Sequence, residues 1–251
     1  MKKIFYFLLP FYLLLTASNC TDPVEPTIEP TNQGTLKVRF LPMYDGKPLA
    51  MDQAVSLAGN WQIKFQRLSF FCEILNGSTP IGTTQLVDFS TIYDENVAKN
   101  GVTATFSLPE GTYPSTNLGI GVGSPNNAKK PVDFEKGNPL SLSDAYWDSW
   151  TSYIFTKTEG KVDKDKNGKF DYAFSYHTGT DEMFRRIGIN KNIAIVTGQN
   201  VDMTVEIDFK KVLDGKSGTI DPFKDQNAHS LSNKAVALKI MDNYPNSLTV
   251  K

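Results

Sequence analysis

Met203-Thr204-Val205-Glu206-Ile207-Asp208-Phe209 carries an apolar side chain at every second residue, with Thr204, Glu206 and Asp208 between them. A period of two sends successive side chains to opposite faces, so the segment reads as a strand with one face buried and one wet. Working outward from it, the same alternation recurs. Leu36, Val38 and Phe40 alternate with Lys37 and Arg39, and Ala104, Phe106 and Leu108 form another set. Trp61, Ile63 and Phe65 alternate with Gln62, Lys64 and Gln66, then the apolar set resumes out of phase at Leu68, Phe70, Cys72 and Ile74. That change of phase at Gln66-Arg67 predicts a β-bulge or a bend that keeps one face inward. Tyr153-Ile154-Phe155 and Tyr172-Ala173-Phe174-Ser175-Tyr176 flank a polar segment and read as a hairpin with a long loop. Gly, Pro and Asn clusters separate these runs at fairly regular intervals. The expected fold is all-β, an antiparallel β-sandwich or barrel with one short C-terminal helix and long loops. The helix is expected where Ala235, Val236, Leu238, Ile240 and Met241 recur at helical spacing, with Ser232 as N-cap and Pro245 as a stop. A second, short helix is expected within 87–98, with Ser90 as its cap.

The N-terminal segment addresses the cell envelope. Lys2 and Lys3 precede a run from Ile4 to Leu15 with hardly a polar side chain. A basic start and a short apolar core are the pattern of a secretory signal, and the run is shorter than the roughly 20 residues of a membrane span. Leu15-Thr16-Ala17-Ser18-Asn19-Cys20 resembles a lipobox, although Asn19 stands where Gly or Ala is usual. Residues 1–19 are therefore expected to be removed, with Cys20 lipidated. Residues 20–33 are rich in Pro, Thr and acid, which suits an extended tether. Asp22 and Glu25 close behind Cys20 look like the export tags of surface lipoproteins in Bacteroidetes-type bacteria. The expected location is the outer membrane, facing the periplasm or the cell surface, and residues 34–251 form one domain.

A net charge of −1 with no basic stripe argues against nucleic acid as a partner. Cys72 is the only cysteine after Cys20, so no disulfide can form within the domain. It sits in an apolar run and reads as a buried, inert side chain.

Asp163-Lys164-Asp165-Lys166-Asn167-Gly168-Lys169-Phe170-Asp171 has side-chain oxygens at positions 1, 3, 5 and 9 and glycine at position 6. That spacing suits a calcium loop, with Asp163, Asp165, Asn167 and Asp171 as side-chain ligands and Lys169 offering its carbonyl. The usual glutamate at position 12 is replaced by Phe174, and three interleaved lysines offset the charge. Asn167-Gly168 is equally a strong hairpin-turn signal.

Asp144-Ala145-Tyr146-Trp147-Asp148-Ser149-Trp150-Thr151-Ser152-Tyr153-Ile154-Phe155-Thr156-Lys157-Thr158-Glu159-Gly160 holds two of the chain's three tryptophans. It resembles the signature of MbnP-like proteins, which reads approximately Met-Tyr-Trp-x-Trp-x-x-Gly-Tyr-Ile-Phe-x-Lys-x-Glu-Gly. Phe65 to Phe71, Leu86 to Phe89, Gly111-Thr112-Tyr113 through Gly119-Ile120-Gly121-Val122, Phe174 to Gly179 and Val212 to Gly215 resemble further family segments in the same order. The resemblance implies a periplasmic or surface copper-binding β-sandwich. It further implies copper held by histidines together with a kynurenine made from tryptophan, a dihaem partner of the cytochrome c peroxidase type, and no catalysis by the chain itself. This sequence departs from the pattern in places. Phe40-Leu41-Pro42-Met43 lacks the histidine often found in the first strand, Gly123 and Ser124 replace an aspartate after Val122, and Ser152 stands at the family's glycine.

Only two histidines are present, His177 and His229. With Met43, or with an oxidised Trp147 or Trp150, they would make a copper site. The bland alternatives are a strand-surface histidine, a loop histidine, and tryptophans that pack a core or rim. Two functions follow. The first is copper binding and handling by an envelope lipoprotein. The second is a non-redox binding or structural module, calcium-braced, that has lost its copper site. Hydrolysis is disfavoured, because neither a Gly-x-Ser-x-Gly nor a His-Glu-x-x-His motif is present.

Overall fold

The strand Trp61–Asn76 spans sixteen residues and organises the larger of two sheets. The computed structural model describes residues 32–58, 61–229 and 231–251. The signal peptide, Cys20 and nearly all of the tether lie outside the described residues. Gln33, assigned above to the tether, already begins the first strand, Gln33–Tyr44.

The phase change at Gln66-Arg67 is a bulge. Glu159 faces Arg67 and Gly160 faces Phe65, which leaves Gln66 as the extra residue. Gly160 is required there, since a Cβ would lie 2.1 Å from the Lys64 carbonyl oxygen. The expected hairpin is Ser152–Asp163 against Tyr172–Gly179.

The larger sheet runs Arg185–Gly188, Thr116–Ile120, Trp61–Asn76, Ser152–Asp163, Tyr172–Gly179, Asn227–Ala228, with four short strands attached. The smaller runs Leu248–Val250, Asn200–Asp208, Gln33–Tyr44, Lys47–Pro48, with Val102–Pro109 also on Gln33–Tyr44. Most pairs are antiparallel. Asn200–Asp208 instead lies parallel to Gln33–Tyr44, Phe40 opposite Val205, and the intervening chain supplies the long crossover that a parallel pair needs.

The inner faces meet through aromatic rings. Phe40 packs edge-on against Phe70 at 5.3 Å, and Tyr44 packs at a tilt against Phe65 at 6.0 Å. Such pairs add about 0.5–1.5 kcal/mol each beyond the area they bury. Cys72 is buried among them, and burial pushes its thiol well above the usual range, which keeps it inert.

The C-terminal helix, Lys234–Ser247, packs on this inner face through Met241 and Tyr244. Asn233 rather than Ser232 occupies the N-cap position, and Pro245 lies inside the helix instead of beyond it. A proline this near the end forfeits one late backbone bond without interrupting earlier turns. The other short helix is Glu95–Ala98. Asp94 caps it, accepting from the Asn96 amide at 2.7 Å; Ser90 does not.

The outer face of Trp61–Asn76 is also buried at Ser69, Phe71, Glu73 and Leu75. Tyr153 meets Phe71 at 6.0 Å and donates to the Leu140 carbonyl at 2.7 Å, tying the covering segment down. Burial holds the Glu73 carboxyl above the usual carboxylate range. The folded protein therefore keeps a proton that the unfolded chain releases near pH 4.3. That contribution is fully present below pH 4.3 and is lost as pH rises through the higher folded value. Glu73→Gln should flatten this part of the stability profile, read as melting temperature between pH 4 and 7.

Candidate metal centre

Along Tyr172–Gly179, Phe174 and Tyr176 turn into the core while Ser175 and His177 turn outward. The short strand Asn227–Ala228 runs parallel to this edge, with Ala228 opposite Tyr176, and delivers His229 just beyond its end. The two imidazoles stack at 4.4 Å between ring centres, 18° from parallel. Trp147 lies against both, at 5.3 Å from His177 and 5.6 Å from His229.

Local structure holds Trp147 in place. Tyr146–Trp147 pairs with Tyr153 and Ser152 across a tight turn. The Trp150 amide donates to the Trp147 carbonyl and the Thr151 amide to that of Asp148, each at 3.1 Å. Thr151 has a φ of 50°, a left-handed conformation that side chains with a branched Cβ rarely adopt. The turn brings Trp150 edge-on to Trp147 at 4.4 Å. Trp150 rests on Gly179, where a Cβ would lie 2.9 Å from its ring. Upstream, Lys157 donates to the Asp144 carbonyl at 2.9 Å, and Arg67 and Lys157 both approach the Asp144 carboxylate. These contacts pin the segment leading into Trp147.

His177 Nε2 lies 2.6 Å from Glu159 Oε1. An ionised carboxylate only accepts, so Nε2 carries the hydrogen and the neutral ring keeps its lone pair on Nδ1. That Nδ1 is buried and has no hydrogen-bond partner among the described residues. His229 Nε2 is engaged at 2.6 Å by Ser175 Oγ. The hydrogen bond from His177 holds Glu159 below its usual range against the opposing effect of burial. Burial, and then the proximity of His177, hold His229 below the ordinary histidine value.

The structure therefore brings together His177, His229 and Trp147, with Trp150 one ring further out. It does not bring Met43 to them. Met43 points outward from the smaller sheet, between the inward Pro42 and Tyr44, on the opposite side of the sandwich. Glu159 and Ser175 were given no role from sequence. The signal was present for Glu159, because the hairpin register sets Lys157 opposite His177 and Glu159 opposite Ser175, two residues along on the same face.

At the far end of that hairpin, Asp163 is buried and spends both carboxylate oxygens on its own turn. They accept from the amides of Asn167 at 3.1 Å and Gly168 at 2.8 Å. Asn167 Oδ1 accepts from the Lys169 amide at 2.8 Å, while Asp165 and Asp171 are exposed. Among the described residues, no three His, Cys, Asp or Glu side chains gather as a metal-binding group. The residues 163–171 thus form an Asp-capped turn. Asp163→Ala should cost about 1 kcal/mol through its lost hydrogen bonds, a fall of about 2–4 °C in melting temperature at this size. Calcium or chelator should leave both proteins' melting temperatures unchanged.

The model of the MbnP family matches residues 33–234. The chain belongs to the MbnP family. Among solved structures, MbnP from Methylosinus trichosporium is similar, with 14% identity over 73% of this chain and 78% of that chain and a TM-score of 0.47. No curated protein matches the chain. Among the described residues of this MbnP family member, no helix is long and apolar enough to cross a membrane.

Proposed function

We propose that this MbnP family member is an envelope-anchored copper-handling lipoprotein that holds copper at His177 and His229 beside Trp147. The observation that carries the reading is the meeting of the chain's only two histidines against one tryptophan. The bare, buried Nδ1 of His177 is a group that a metal would satisfy. A structural zinc site would be two ligands short of its usual four, and calcium or magnesium would need a shell of oxygens. Imidazole suits copper among the transition metals, and the family resemblance favours that metal. Bound copper supplies one-electron redox chemistry; the chain supplies the ligands, their orientation through Glu159 and Ser175, and the aromatic wall.

The family resemblance adds a kynurenine as a third ligand. Trp147 is the candidate for that oxidation, because its ring meets both histidines, whereas among the described residues the Trp150 ring meets no aromatic ring but that of Trp147. A dihaem enzyme of the cytochrome c peroxidase type is the partner proposed to carry it out. Anchoring rests on the signal-like residues 1–19 and Cys20, with the tether holding the domain at the outer membrane.

The test is elemental and intact-mass spectrometry on the full-length protein as exported and processed by the native host, purified without chelators. Near-stoichiometric copper and one oxidised tryptophan, mapped to Trp147, are expected. Background copper with intact tryptophans would instead favour the non-redox module, the reading to which the small ligand count points.

A further inference from the structure

A second feature lies on the outer face of the same sheet, at the edge away from the histidines. Arg186 pairs with Gly119, and Gly119 pairs with Glu73, so the three form one row across adjacent strands. Directly paired residues project from the same face. Gly119 has no side chain, so an acid and a base stand about 10 Å apart at two strand spacings with a gap between them. Phe184 fills the bottom of that gap: a Cβ on Gly119 would lie 2.5 Å from its ring and 3.0 Å from Leu75. The result is a cleft of about 440 Å³ lined by Glu73, Leu75, Gly123, Asp181, Phe184 and Arg186.

Its acidic end is incomplete. Glu73 is 1% exposed. Its Oε1 accepts from Thr84 Oγ1 at 2.7 Å and from the Gly123 amide at 3.0 Å, but Oε2 has no partner among the described residues. A buried carboxylate oxygen left unsatisfied is costly, and native structures seldom keep one without a use. Gly123 lets the backbone lie close to the carboxylate, since a Cβ there would lie 2.8 Å from Oε2. Asp181 adds a second negative charge at the same end. At the other end Arg186 is exposed, and its side chain makes no hydrogen bond or ion pair among the described residues.

We propose that this cleft binds a small zwitterion, an α-amino acid with an apolar side chain, its ammonium donating to Glu73 and its carboxylate meeting Arg186. The guanidinium matches a carboxylate in a two-pronged hydrogen bond, and an ammonium supplies the donors that Oε2 lacks. Leu75 and Phe184 take the apolar side chain. The opposed charges reject a simple anion or a simple cation, each of which would leave one end unpaired. The site is independent of the histidines and of any copper they hold.

The test is titration calorimetry of residues 21–251 with L-leucine, N-acetyl-L-leucine and L-leucinamide. Leucine is expected to bind, and each blocked analogue to bind at least about tenfold more weakly, because each leaves one charged end unpaired. Arg186→Ala lies on the surface and should keep the wild-type melting temperature while losing leucine binding by a similar factor. Glu73→Gln, checked in the same way for folding, should lose it too. No heat with millimolar leucine, equal binding of either analogue, or unchanged binding in a folded Arg186→Ala protein would overturn the proposal.

Discussion

His177→Ala and His229→Ala are each expected to bring bound copper to background. Each removes one of the chain's only two imidazoles. The loss in copper(I) affinity should exceed the roughly 10–100-fold that follows removal of a mere outer partner of a ligand. A reasonable scale is about a thousandfold, or about 4 kcal/mol. Competition against a coloured copper(I) chelator measures it. Both side chains project outward from the edge of the larger sheet, so the fold should survive and the melting temperature of the copper-free proteins should move little. Wild-type affinity in a folded His177→Ala protein would remove the site. Met43→Ala is the control. Met43 lies on the far side of the sandwich, and its loss should leave copper binding unchanged.

Glu159→Ala should weaken copper by about 10–100-fold without removing any ligand. Glu159 fixes the hydrogen of His177 on Nε2 and so leaves Nδ1 free. Without it the ring can turn or change tautomer. Glu159→Gln keeps a carbonyl oxygen that accepts from Nε2–H and should recover much of the loss, which separates orientation from charge. The pair also predicts a pH dependence of the copper-free fold. Hydrogen bonding to His177 holds Glu159 below the ordinary carboxylate value. Its contribution is therefore present above the unfolded value, about pH 4.3, and is lost as pH falls through the lower folded value. The stability gap between wild type and Glu159→Ala should accordingly shrink in acid below pH 4.3. Equal copper affinity in the alanine variant would show that Glu159 merely neighbours the site.

Much of the sandwich could be read residue by residue. The alternation of Leu36-Val38-Phe40 and Met203-Val205-Ile207 reports burial on one face, and burial on one face is what a strand's own side chains encode. The phase slip at Gln66-Arg67 announced the bulge because a single extra residue inverts every later side chain. The order of segments from Phe65 to Gly215 was enough to point to the family. Helix ends were read less well. Asn233 took the N-cap position expected of Ser232, and Asp94 took the cap expected of Ser90; neighbouring polar residues offer nearly equivalent caps, and packing chooses among them.

The site divides along the same line. By itself the sequence determined which donors exist: two histidines, two tryptophans three residues apart, and an acid-rich turn at 163–171. Only the tertiary structure decided which of them meet. His177 and His229 come together because Asn227–Ala228 joins the sheet beside Tyr172–Gly179, a pairing between distant segments that no local pattern specifies. Trp147 is distinguished from Trp150 by a turn that lays one ring on both imidazoles and the other on Gly179. Met43 is excluded by the direction in which its strand faces. Glu73 reads as an ordinary polar interruption in an apolar run, until the strands carrying Gly119 and Arg186 are laid beside it. Side-chain periodicity is a property of neighbours along the chain, whereas convergence is a property of strand order and register, which are settled by the packing of the whole core.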